Sequence, residues 1–234
     1  MWMKLKMHRE TMEKELKRVL TAGSAINQLA LSANACGCVA LTTFPLGVNV
    51  EDIELLKAKG FIERLKRLAA ELGVVPKNVS FQRGENFEIL QLKVLDFCKR
   101  CEFEYEGERP WPDVSIIENR SERGHAEKDA LAVLSCRGAV EEELRRVTGF
   151  PIYVSELSVF ALKCGCVGLS ANIRGLRRQD LTEFPYFREA AQGLGVMPKI
   201  VYARFGATPS EIIGITARDT CERCEKYTEG LYLL

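Results

Sequence analysis
Histidine is almost missing from this sequence. His8 and His125 are the only two, and they do not fall at matching points of the chain's internal repeat. The patterns G-x-x-x-x-G-K-[ST], G-x-G-x-x-G and G-x-S-x-G are absent too, so nothing marks a phosphate-cradling loop or a serine nucleophile. No apolar run approaches the about 20 residues needed to span a bilayer, and no membrane partner is expected. The opening "MWMKLKMHRE" carries positive charge but no apolar stretch of the kind a secretory signal has, so a cytoplasmic location is expected. Charge of one sign is lacking as well: 33 basic residues face 32 acidic ones, for a net charge of +1. A global field that would draw in nucleic acid or anionic lipid is therefore absent. The hydrophobic fraction of 47% and charged fraction of 28% are ordinary for a soluble globular protein.

Cysteine is what the sequence does have. There are nine, and eight fall in close pairs: Cys36/Cys38 and Cys164/Cys166 as C-x-C, Cys98/Cys101 and Cys221/Cys224 as C-x-x-C. Secreted disulfide scaffolds are usually shorter and spread their cysteines more evenly. In a reducing compartment, paired cysteines read better as metal thiolates.

The pairs are part of a longer duplication. "ACGCVAL" (35–41) meets "KCGCVGL" (163–169) at an offset of 128 residues, and "EKELKRV" (13–19) meets "EEELRRV" (141–147) at the same offset. Further on, "ELGVVPKNV" (71–79) meets "GLGVMPKIV" (193–201), and "DFCKRCE" (96–102) meets "DTCERCE" (219–225). Two unrelated zinc knuckles would not share "LGVxPK" and "ELxRV", which bind no metal. The repeats predict residues 1–107 as one copy, 108–138 as a linker and helix, and 139–234 as a second copy. Proline and glycine mark the joint near 105–113.

Periodicity predicts an α+β fold, each copy roughly α-α-β-α-β-β, related by pseudo-twofold symmetry. In the first copy helices are expected over 8–20, 24–33 (with Ser24 as cap) and 50–73, and strands over "CVALTTF", "NVSFQR" and "FEILQLKVLDF". In the second, a helix is expected up to about 162, then a strand over 166–171, a helix over 180–192 and strands over 200–205 and 211–218.

Four convergent thiolates suit a closed tetrahedral zinc site, so one Zn2+ is expected in each copy, two per chain. The ligands are Cys36, Cys38, Cys98 and Cys101 in the first, and Cys164, Cys166, Cys221 and Cys224 in the second. The pairs are 59 residues apart in the first copy and 54 in the second, wider than in a compact zinc finger. Such an ion would tie distant elements together. Pairing across copies is left open by spacing alone. Arg100 and Arg223 occupy the same slot beside the ligands and are expected to offset the thiolate charge. Asp96 and Asp219, two residues before a ligand, are expected to accept N–H bonds there. Asp52 and Asp180 are expected as helix caps. Cys136 has no partner and is expected to be a buried thiol.

An iron–sulfur cluster also takes four cysteines, but its familiar motifs crowd three into one segment. A C-x-x-C opening a helix would suggest thiol redox chemistry; here it follows strands. Arg174, Arg177 and Arg178 form a basic patch, placed by the sequence near the second metal site, for contact with phosphate or an acidic partner. The chain thus reads as a zinc-binding, duplicated interaction module for an unknown protein or nucleic acid, with a homo-oligomer left open. An iron–sulfur or thiol redox protein is the alternative.

Overall fold
Two stretches of near-identical helix set the frame. The computed structural model describes residues 1–20, 23–84, 87–96, 128–181, 184–208, 210–221, 224 and 232–233. The first helix, α1, spans Trp2–Val19. Its counterpart at the 128-residue offset, called α4 because α2 and α3 precede it, spans Lys128–Thr148 and runs through residue 139. Leu5, Arg9, Met12 and Leu16 are buried on α1; Val133, Arg137, Val140 and Leu144 are buried at the equivalent turns of α4. These positions recur at i, i+4, i+7 and i+11, the single stripe that a 3.6-residue period aims at a core.

The chain then runs through strands β1 (Ala25–Asn34) and β2 (Val39–Leu46). A 3-10 turn, Val50–Asp52, leads into α2 (Ile53–Ala58) and α3 (Phe61–Glu71). Strands β3 (Asn78–Arg83) and β4 (Ile89–Leu95) follow. After α4 come β5 (Tyr153–Leu162), β6 (Val167–Arg177), a 3-10 turn at Arg178–Asp180 and α5 (Pro185–Gly193). Strands β7 (Ile200–Phe205), β8 (Glu211–Arg218) and the short β9 (Tyr232–Leu233) complete the described elements. The class is α+β, as expected, but each copy reads α-β-β-α-β-β.

The helix expected over 24–33 is strand β1. Its burial explains the misreading: Ala25, Ile26 and every residue from Leu29 to Ala33 are buried, on both faces. A strand covered on both sides shows a continuous apolar run, which periodicity cannot tell from a buried helix. The expected helix up to 162 ends at Thr148, and β5 follows it, with Leu157 and Val159 buried and Glu156 and Ser158 half-buried on the other face. Gly149, at φ 71°, takes the left-handed turn that stops the helix. The single helix expected over 50–73 is broken by Gly60 at φ 77° into α2 and α3. The helix expected over 180–192 starts later, with Pro185 in its first turn, where its missing N–H costs nothing. Strands 78–83, 200–205 and 211–218 match expectation. The "LGV" shared by both copies closes α3 and α5: Gly73 and Gly195 sit at φ 84° and 86°, and Val74 and Val196 donate to Ala69 O and Ala191 O. The predicted joint at 105–113 lies outside the described residues.

All strands join one antiparallel sheet, in the order β3-β4-β2-β1-β5-β6-β8-β7-β9. Its centre is the pairing of β1 with β5, one strand from each copy. Leu31 pairs with Val159, and these two are themselves 128 residues apart, so the register maps onto itself when the copies are exchanged. Helices α1 and α4 pack against both central strands.

Arg9 and Arg137 are buried charges at equivalent points, each bonded through Nη1 in the same way, with Nε left without a partner among the described residues. Arg9 Nη1 donates to Glu13 Oε2 at 2.6 Å and Ile26 O at 2.8 Å. Arg137 Nη1 donates to Glu141 Oε2 at 2.9 Å and Val154 O at 2.7 Å, and Glu141 accepts from Val154 N at 2.9 Å. Both strands shift register right there, between Ile26 and Gln28 and between Val154 and Glu156. A bulge interrupts the ladder, and the arginine takes up the carbonyl beside it. Arg137→Ala should therefore destabilise the protein by about 1–3 kcal/mol, because it leaves Val154 O unmet and Glu141 with only Arg145 and Val154 N as partners. Arg146→Ala, which removes only the exposed partner of Glu143, should leave the thermal melt essentially unchanged.

Candidate metal centre
Each C-x-C sits at the tip of a hairpin, β1–β2 in one copy and β5–β6 in the other. The two turns share their hydrogen bonds. Asn34 N donates to Cys38 O at 2.8 Å and Gly37 N to Asn34 O at 2.9 Å; Leu162 N donates to Cys166 O at 2.8 Å and Gly165 N to Leu162 O at 2.9 Å. Gly37 and Gly165 have φ of 86° and 91°, a left-handed conformation that a side chain would strain. At Gly165 a Cβ would also stand 3.3 Å from Lys6 Nζ. Lys6 thus brings a positive charge from α1, in the first copy, to the second copy's cysteine turn.

The second half of the site arrives along β8. Gly168, at the start of β6, pairs with Arg218, the last residue of β8. The chain leaving β8 therefore passes beside the cysteine turn. Asp219 N donates to Val167 O at 3.1 Å, and Asp219 Oδ1 accepts from Val167 N at 2.8 Å. Asp219 so locks the residue after Cys166, in the N–H-accepting role expected of it. Cys221 N donates to Cys166 Sγ at 3.3 Å. Cys224 N closes the C-x-x-C turn on Cys221 O at 2.8 Å.

The sulfurs of Cys164, Cys166, Cys221 and Cys224 all lie within 4.8 Å of one another. Cys166 and Cys224 are 3.8 Å apart, Cys164 and Cys224 3.3 Å. Ligands about 2.3 Å from a tetrahedral ion stand about 3.8 Å from each other, so this set could hold a metal ion. The four come from one copy, not across copies. Burial raises the pKa of both the Cys166 and the Cys224 thiols, with neighbouring thiols adding to the effect. Four sulfurs this close, two buried and two half-buried, cannot all ionise without a cation between them, and a metal would release their protons on binding.

In the first copy Cys36 is half-buried and Cys38 buried. Asp96 N donates to Val39 O at 3.1 Å, the counterpart of the Asp219 bond, so the chain leaves β4 at the equivalent place. Cys98, Cys101, Arg100 and Arg223 lie outside the described residues. Among the described residues a four-cysteine cluster forms once. The basic patch is exposed but sits elsewhere than expected. Arg174 is eight residues along β6 from Cys166, about 25 Å at the rise of an extended strand. Arg178 lies over the Phe205 ring at 5.8 Å. Asp52 accepts from Asn49 N at 2.8 Å, closing a capping box on the 3-10 turn before α2; among the described residues the matching turn at Arg178–Asp180 has no side-chain cap bond.

Sequence reasoning missed Lys6, because nothing in a linear reading places α1 beside residue 165. It also missed a polar hollow on the far face of the sheet, whose signal was the period-2 polar alternation inside β5, β6 and β8. Cys136 stands apart from the cluster, and burial pushes its thiol up to about 11. At pH 8 a thiol reagent should therefore label Cys136 about one to two orders of magnitude more slowly in the folded protein than after unfolding, as read by mass spectrometry of the peptides.

Comparison with known proteins agrees with the duplication. A family model described as "Family of unknown function (DUF5402)" matches twice, over residues 1–119 and 128–230. An uncharacterized protein of Methanocaldococcus jannaschii, MJ1658, is 28% identical over 99 residues, 40% of this chain and 83% of that protein. That relative is thus about as long as one of the two family matches. No solved structure matches the chain. Among the described residues no helix is long and apolar enough to cross a membrane. With both of its halves matched by one model, the chain belongs to the family of unknown function DUF5402.

Proposed function
We propose that this chain is a zinc-binding, duplicated interaction module that docks a protein or nucleic acid, with binding rather than catalysis as its role. The observation that carries it is the convergence of Cys164, Cys166, Cys221 and Cys224 within 4.8 Å. The site closes with four thiolates and leaves no position for water, so its zinc is structural. A second zinc is held by Cys36, Cys38, Cys98 and Cys101. The matching hairpin turn at Gly37 and the matching Asp96 bond support that second site. Arg100 and Arg223, adjacent to ligands in the chain, offset the net charge of each centre. The copies are related by a pseudo-twofold axis through the Leu31–Val159 pair, supported by the self-mapping register there. Arg174, Arg177 and Arg178 supply a contact for an anionic partner.

The sulfur spacing favours a single ion over an iron–sulfur cluster, whose several iron and sulfide atoms would hold the cysteines further apart. The competing reading is a thiol redox pair, favoured by the 3.3 Å approach of Cys164 to Cys224.

Purified protein should be colourless and carry two zincs per chain by elemental analysis. Brown colour, or a Cys164–Cys224 disulfide in place of metal, would sink the proposal. Cys166→Ser should lose one zinc and lower the melt far more than Cys136→Ser. A structural zinc contributes on the order of 10–16 kcal/mol of apparent binding energy, against whole-domain stabilities of about 5–15 kcal/mol. Chelator should move the parent's melt and add little to that of Cys166→Ser. Changing Arg174, Arg177 and Arg178 together to glutamate should weaken binding of single-stranded RNA or an acidic peptide while leaving the melt in place. Unchanged binding at the same salt would remove the patch from the partner contact.

A further inference from the structure
The sheet face turned away from α1 and α4 is hollow, with a cavity of about 490 Å3. That lies in the ~300–1,000 Å3 range of small-molecule sites. Strand alternation builds it: Leu157, Val159 and Ala161 of β5 point to the core, while Glu156, Ser158 and Phe160 point to the cavity. Its charged lining is Lys93 of β4, Arg204 of β7, Arg218 of β8 and Glu156.

Several groups are set up with capacity to spare. Arg204 Nη2 donates to Asn172 Oδ1 at 2.6 Å and to Ser170 Oγ at 3.2 Å. Gly214 makes room for it, since a Cβ there would fall on the guanidinium. Arg218 lies over the Tyr202 ring at 5.9 Å. Yet Nε of Arg204, Nε of Arg218 and Oγ1 of Thr42, which is 3% exposed, are buried with no hydrogen-bond partner among the described residues. All three belong to residues that line this one cavity, three of six such atoms among the described residues; the others are Nε of Arg9, Arg64 and Arg137, elsewhere in the fold. Buried donors without partners cost free energy, and burial also lowers the pKa of Arg204. A ligand would supply what they lack.

Strand order sets Lys93 five strands from Arg218, so Arg204 and Arg218, on neighbouring strands, are the two positive charges that one ligand group can meet together. The complement is a dianion with several acceptor oxygens. A phosphate monoester carries about −1.5 to −2 near pH 7 and offers three oxygens to arginine forks. The basic end is confined to the second copy: strand register puts Gln82 and Leu95 of the first copy where Arg204 and Arg218 stand. This asymmetry in a duplicated frame marks a site and not a scaffold requirement. Gln28, Gln91 and Asn172 provide amides for a polar body.

We propose that this cavity binds a small phosphate monoester with a hydroxyl-rich body, its phosphate on the Arg204 and Arg218 side. The proposal deepens the binding-module reading and rests on it, but does not need the zinc.

The test is calorimetric titration of the full, metal-loaded chain with ribose 5-phosphate, inorganic phosphate, ribose and acetate. Ribose 5-phosphate should bind saturably, inorganic phosphate more weakly, ribose and acetate not at all. Arg204→Gln and Arg218→Gln should each weaken binding about tenfold or more, and Arg146→Gln, on α4 and outside the cavity, should not. Arg204→Lys, which keeps the charge but loses the fork, should fall between; it and Thr42→Val report on the cavity should Arg204→Gln fail to fold. Absence of saturable binding up to about 10 mM, a Kd far weaker than the ~1 mM that marks weak specific binding, overturns the proposal. So does acetate binding as tightly as ribose 5-phosphate, inorganic phosphate binding as tightly as the ester, or unchanged affinity in both glutamine variants. Metal content is measured on the same samples. Zinc-loaded protein that binds none of the probes sinks this proposal alone; metal-free protein that binds ribose 5-phosphate sinks the zinc reading alone.

Discussion
The antiparallel seam between β1 and β5 is the constraint on which the rest depends. Each copy ends its sheet at a strand that buries apolar side chains, β1 on both faces and β5 on the helix-covered one, and neither strand could remain an edge in water. Pairing the two satisfies both ladders at once and makes one continuous sheet from two sequence repeats. Because the pairing is antiparallel and centred on Leu31 and Val159, it places α1 and α4 on the same face, where each touches both central strands. The two copies therefore share one core and do not fold as beads on a string.

That shared core explains the charges inside it. Arg9–Glu13 and Arg137–Glu141 are buried at equivalent bulges, where the ladder loses a carbonyl. The bulge and the ion pair are one device: the bend creates an unmet acceptor, and an arginine one helix away meets it. The same alternation that sends aliphatic side chains to the helices sends serine, threonine, asparagine, glutamate and arginine to the other face. The hollow there follows from the strand period, and its charge follows from substitutions in the second copy.

The cysteine turns lie at hairpin tips, where the strands from the other half of the copy also run out. Each tip is thus a place where two distant chain segments meet without regular hydrogen bonding to hold them. Four thiols in the second copy fill that gap, and their crowding is unfavourable without a cation. Asp219 fixes the backbone next to Cys166, so the donor set is oriented by the sheet and not by a small loop of its own.

The duplication, the α+β class, the strands at 78–83, 200–205 and 211–218 and the partners in the second cysteine cluster were all legible in the amino acids. These rest on local signals: repeated landmarks, alternation, glycine stops and the spacing of thiols. The identity of β1 was not legible, because a segment buried on both faces loses the periodicity that distinguishes strand from helix, whereas β5 keeps an alternation of Glu156, Leu157, Ser158 and Val159 that the helix reading passed over. Nor was the break at Gly60, whose positive φ is a choice among conformations open to any glycine. Lys6 beside Gly165, the distance of Arg174 from the cysteines, and the meeting of Lys93, Arg204 and Arg218 around one cavity were decided by tertiary structure alone. They join residues from different strands and different copies, and only the register of the sheet sets which of those stand side by side.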